Sequence, residues 1–102
     1  MSTELLEVLR LVKIILNRGY SITVNDGEDD VVSKSKNLLE IRSALYSTDE
    51  DYLYVYKDDQ KHHIGCIYLV YGNAKDGSEV VCDHSTTPAI KSIMEIFDSG
   101  LN

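Results

Sequence analysis

Tyr52-Leu53-Tyr54-Val55-Tyr56 alternates without a break. A strand repeats its side-chain direction every two residues. The three tyrosines therefore share one face, and Leu53 and Val55 share the other. Asp58-Asp59-Gln60 makes a polar turn, and residues 64–71 read as a long apolar strand. Residues 72–77, with the permissive pair Asp76-Gly77, read as a hairpin loop, and residues 79–82 as a last strand. Short antiparallel hairpins joined to helices indicate an α+β fold rather than a doubly wound sheet.

Working outward, residues 2–18 carry a broad apolar stripe. It comprises Leu5, Val8, Leu9, Val12, Ile15 and Leu16, opposite the polar line Glu7, Arg10, Lys13 and Asn17. Ser2 or Thr3 can cap this helix, Glu4 and Glu7 suit its positive end, and Gly19 stops it. Residues 20–24 read as a strand, Asn25-Asp26-Gly27 as a tight turn, and Val31-Val32 as a short return strand. Ser35 is the expected cap of a second helix over residues 36–46, and 47–51 an acidic connection. Thr87 and Pro88 open a final helix whose buried stripe is Ala89, Ile90, Ile93, Met94 and Phe97. The expected architecture is an antiparallel β-sheet of about four to five strands with three helices, in the order α-β-(β)-α-β-β-β-α.

The chain has 102 residues and a mass of 11.5 kDa, the size of one compact domain. Seventeen acidic residues oppose ten basic ones, for a net charge of -7. The basic residues are scattered, so direct binding to nucleic acid or to an anionic membrane is disfavoured. No apolar run approaches the roughly 20 residues that span a bilayer. The first seven residues show no basic region before a cleavage site, and two cysteines make no disulfide framework. A cytoplasmic setting is the expectation.

Three features invite a functional reading. Seven tyrosines accompany a single phenylalanine. Tyrosine has an apolar body and a polar tip, which suits both interfaces and half-exposed strands. The stripe Tyr52, Tyr54 and Tyr56 is either cross-strand packing, a docking face or the wall of a small-ligand pocket. Acids crowd residues 26–30 and recur at Asp49, Glu50, Asp51, Asp58 and Asp59. They read as solvated charge or as a rim that docks on a basic partner. Imitation of phosphate spacing is a further reading, and residues 25–36 lack the alternating acids of a calcium-binding EF-hand. His63, Cys66, Cys82 and His84 are the candidate metal or nucleophile set, since zinc takes thiolate and imidazole ligands. A regular hairpin centred on residues 73–75 would set Cys66 beside or diagonal to Cys82. No C-x-x-C, phosphate-binding glycine loop or H-E-x-x-H is present. Gly65 lies inside a strand, where it would let a helix or ring approach the backbone.

Four pieces of the chain resemble a group of small uncharacterised bacterial and prophage-type proteins. They are Ser21-Ile22-Thr23-Val24-Asn25-Asp26-Gly27-Glu28, Ser47-Thr48-Asp49-Glu50-Asp51, Leu69-Val70-Tyr71-Gly72-Asn73 and Val81-Cys82-Asp83-His84. In that group the last piece more usually reads Ser-Asp-Tyr-Thr, so this chain departs at Cys82 and His84. The resemblance implies a phage-related accessory role and brings no enzyme motif with it. The leading expectation is a small acidic interaction or regulatory module without catalysis or cofactor. Its contact would centre on Tyr52, Tyr54 and Tyr56, rimmed by acids at 49–51 and 58–59. Its partner would be another protein, basic or nucleic-acid-binding, or else a second copy of the chain. The alternatives are a nucleic-acid-mimicking inhibitor and a small metal protein or enzyme.

Overall fold

Among the described residues, five strands and three helices follow one another in the order the sequence predicts. The computed structural model describes residues 3–58, 60–72 and 79–100. Its elements are α1 (Thr3–Asn17), β1 (Tyr20–Asn25), β2 (Asp30–Ser35), α2 (Leu38–Ala44), β3 (Glu50–Lys57), β4 (Gly65–Val70), β5 (Val81–His84) and α3 (Pro88–Asp98). The strands make one sheet, ordered β2-β1-β3-β4-β5, and every neighbouring pair is antiparallel. β3 is its central strand, while β2 and β5 are its edges.

Period two separates the faces. Ile22 and Val24 of β1, Leu53 and Val55 of β3, and Ile67 and Leu69 of β4 are all completely buried. They share one core with Val8, Leu11, Val12 and Ile15 of α1, Ile41 of α2, and Ile90 and Ile93 of α3. Burying each such side chain contributes about 1.5–3 kcal/mol against its exposed state. All three helices therefore cover the same face. On the other face Tyr52, Tyr54, Tyr56, Cys66 and Tyr68 are half-buried, and none of the described helices lies over them.

Gly65 explains how closely α3 approaches. It pairs with Val55 on the helix-covered face. A Cβ at Gly65 would lie 2.2 Å from Ile90 Cγ1, well inside contact distance. Thr87 occupies the N-cap position of α3, but its hydroxyl donates to the Ile64 carbonyl at 2.9 Å instead of capping. That bond ties the start of the helix to the start of β4.

Several boundaries differ from those the sequence predicts: β2 runs Asp30–Ser35 rather than Val31-Val32, α2 ends at Ala44 rather than at residue 46, and β3 begins at Glu50, inside the expected 47–51 connection. The second helix is capped by Asn37, whose side-chain oxygen accepts from the amides of Leu39 and Glu40 at 2.9 and 3.2 Å. Ser35 instead ends β2, where its hydroxyl accepts the Asn37 N–H at 3.1 Å. The last strand starts two residues later than expected, at Val81. Its register shifts between Tyr68↔Asp83 and Leu69↔Val81, leaving Cys82 at the irregularity. The 72–77 hairpin loop falls, from residue 73 on, outside the described residues.

Candidate interaction surface

The open face is a contiguous tyrosine surface. Tyr52 of β3 pairs directly with Tyr68 of β4, and their rings stack with centroids 4.6 Å apart. Tyr54 continues the row, 6.3 Å from Tyr52. His63 then packs on Tyr54 at 4.9 Å and edge-on to Tyr56 at 6.2 Å. The Lys34 ammonium lies 4.8 Å from the centre of the Tyr56 ring and donates to the Gln60 carbonyl. An irregularity in the β1–β2 pairing places Lys34 there. Its φ is 47°, and its amide donates to Thr23 Oγ1 at 2.9 Å. Tyr68 is the member of this surface that the sequence reading did not assign. Its parity with Cys66 in the 64–71 strand is the signal that places it there.

The acids do not form one rim. Glu50 shares the tyrosine face, and the Tyr68 hydroxyl donates to its carboxylate. This bond, aided by the charge beside it, pushes the Tyr68 phenol up to about 12. Asp49 is exposed and converges with Asp26, Glu28 and Glu50 around a cleft of about 610 Å³. Backbone amides of Asp29 and Glu28 donate to Asp26 at 2.9 and 3.0 Å and hold its carboxyl below the usual range. Asp58 stands at the opposite end of β3, exposed, with φ 53°. Asp59 lies outside the described residues.

Asp51 corrects the expected rim. It is fully buried, because the alternation that exposes Tyr52 turns Asp51 toward the helices with Leu53 and Val55. The Tyr46 amide donates to its Oδ2 at 3.1 Å, and the Tyr71 hydroxyl donates to the same oxygen. No hydrogen-bond partner reaches Oδ1 among the described residues. Burial pushes the Asp51 carboxyl up, while the Tyr71 bond opposes the shift. Tyr46 and Tyr71 stack at 3.8 Å. Tyr46 then donates to Glu4 Oε1 at 2.9 Å, and the Gly72 amide donates to Glu4 Oε2 at 2.8 Å. Burial foremost, and then the adjoining carboxylates, push both phenols far up. This network fastens α1 and the end of α2 to the ends of β3 and β4.

No family model, curated protein or solved structure matches this chain. Its function is read from its own surface.

The four His and Cys candidates do not assemble into one site. His63 packs on the tyrosines, Cys82 is exposed, and Cys66 and His84 line a second cleft of about 430 Å³. Cys66 faces Ser85 instead of Cys82: its amide donates to Ser85 Oγ at 2.9 Å, and its carbonyl accepts the Ser85 N–H at 2.9 Å. Burial, and secondarily Asp83, push its thiol up to about 11, the direction opposite to an activated nucleophile. Among the described residues no group of three or more His, Cys, Asp or Glu side chains could hold a metal ion. Nor is any described helix long and apolar enough to cross a membrane.

Proposed function

We propose that this chain is a non-enzymatic, cytoplasmic interaction module that docks a partner protein on the open face of its sheet. The observation that carries this reading is the joined surface of Tyr52, Tyr54, Tyr56 and Tyr68, half-buried with no described helix over it. Tyrosines anchor contacts because their rings lose water while their hydroxyls keep hydrogen bonds. Acids at the Tyr52 end would steer a basic partner and fix its orientation. A phage-related accessory setting, suggested by the sequence resemblance, belongs to the same proposal.

Capture from nuclease-treated source-cell lysate, followed by native mass spectrometry, tests it. A discrete hetero-complex is expected. Tyr54→Ala should weaken capture by about tenfold or more, as central aromatic anchors do, and Asp59→Ala much less. Equal capture by a folded Tyr54→Ala variant and the parent rejects the anchor role. A homodimer in place of the hetero-complex would make a second copy the partner.

Convergence of Asp26, Glu28, Asp49 and Glu50 on one cleft favours a second reading, imitation of a nucleic-acid backbone. In that case DNA or RNA displaces the chain from its partner. Retention of the complex under excess nucleic acid removes the reading.

A further inference from the structure

We infer that the cleft between β3, β4 and β5 is a receptor for an arginine side chain of the docked partner. This rests on the docking reading and deepens it by naming the chemistry of the contact. Among the described residues the cleft is lined by Tyr52, Cys66, Tyr68, Asp83, His84 and Ser85, with no lysine or arginine. The stacked Tyr52 and Tyr68 rings form an aromatic wall, and Asp83 pairs across from Tyr68.

Each part suits a guanidinium. A tyrosine ring attracts a cation through its quadrupole, and a planar guanidinium also stacks on it. The Tyr68 hydroxyl donates to Glu50, which makes its ring richer in electrons and places a second carboxylate beside the site. Asp83 is exposed, lines the cleft, and accepts the His84 amide on Oδ1 at 2.8 Å; a carboxylate has further acceptor sites for a guanidinium. The His84 ring is engaged through Nδ1 with the Ser85 carbonyl at 2.9 Å. Half-buried Cys66 completes the lining between the rings and Ser85. Glu50 and Asp83 stand at this end of the face, whereas Lys34 and the exposed Asp58 stand at the Tyr56 end. The Tyr56 end already holds a cation on a tyrosine ring, that of Lys34. The Tyr52–Tyr68 end offers the same chemistry, and no cation–ring contact occupies it among the described residues.

The test is an amide NMR titration of the full chain with acetyl-Gly-Arg-Gly-amide, run beside the citrulline and lysine versions. Saturable shifts are expected at Tyr52, Tyr68, Asp83 and His84. The neutral citrulline isostere should bind about tenfold more weakly. Asp83→Asn should weaken arginine binding about threefold while leaving the melting temperature unchanged. Tyr68→Leu should abolish it, and unchanged dispersion elsewhere in the spectrum would show that the variant is folded. Equal shifts with citrulline, lysine binding as tight as arginine, or an Asp83→Asn variant equal to the parent would each overturn the assignment. Loss of partner capture in Tyr54→Ala without arginine binding refutes only this cleft. Arginine binding with undiminished capture by Tyr54→Ala refutes only the tyrosine anchor.

Discussion

Asp51 shows how much one step of β-parity decides. Its neighbours Glu50 and Tyr52 belong to the open face, and it alone of the 49–51 acids lies among apolar side chains. A buried carboxylate is tolerable because the Tyr46 amide and the Tyr71 hydroxyl donate to it. Its folded carboxyl sits above the unfolded value of 3.8. The folded state therefore binds this proton more tightly than the unfolded chain does. The penalty of the charged form is full at neutral pH and is relieved as pH falls through the raised value. In Asp51→Asn the amide oxygen keeps both donors and the titration is gone. On acidification from neutral pH, urea unfolding should show the parent gaining stability relative to Asp51→Asn. A difference that does not change with pH would mean that Asp51 is not held in this way. Tyr71→Phe removes a donor that lowers the Asp51 carboxyl, so a carboxyl NMR titration should place its midpoint higher still. Loss of that buried, charge-assisted bond should cost about 1.5–3 kcal/mol at neutral pH.

At the scale of elements, the contact between α3 and β4 is the most sharply constrained. Gly65→Ala forces a methyl into Ile90 Cγ1, and overpacking of this kind costs about 1–3 kcal/mol. In an Ile90→Ala background the two Ile90 atoms are absent and only Thr87 Oγ1, at 3.2 Å, stays close, so the added methyl should cost far less. A double-mutant cycle by thermal or urea unfolding reads that coupling, and additive costs would contradict the close approach. A glycine inside a strand made this contact legible in the sequence. Strand and helix order were legible for the same kind of reason, since period two and helical spacing act over a few residues. The tyrosine stripe was legible on those grounds, and the burial of Asp51 follows from the same alternation that marks Tyr52. The β4–β5 register was not legible, because an irregularity at Cys82 moves the partner of Cys66 to Ser85. The ties from Tyr46 and Gly72 to Glu4 span 42 and 68 residues. No local pattern encodes bonds across such separations. Ser35 and Asn37 are both good caps by chemistry, and only the extent of β2 decides between them.

Over the whole molecule, charge and shape oppose one another on the open face. The tyrosines favour burial against something, while a net charge of -7 drives copies of the chain apart. A basic partner resolves both, because its contact removes aromatic surface from water and opposes the excess acid. A second copy resolves only the first. The two occupants therefore differ in the sign of their response to salt. Raising ionic strength from about 0.05 M to about 0.5 M shortens the Debye length from roughly 14 Å to under 5 Å. Such screening weakens attraction between unlike surfaces and relieves repulsion between like ones. Under the proposed function, the captured complex should dissociate faster or re-form more slowly as salt rises. The chain alone should sediment as a single small species at both ionic strengths. If instead the chain dimerises as salt rises, and Tyr54→Ala abolishes the dimer, the open face is a self-association surface. In that outcome the acids at its end limit assembly, where in the proposed one they recruit the partner.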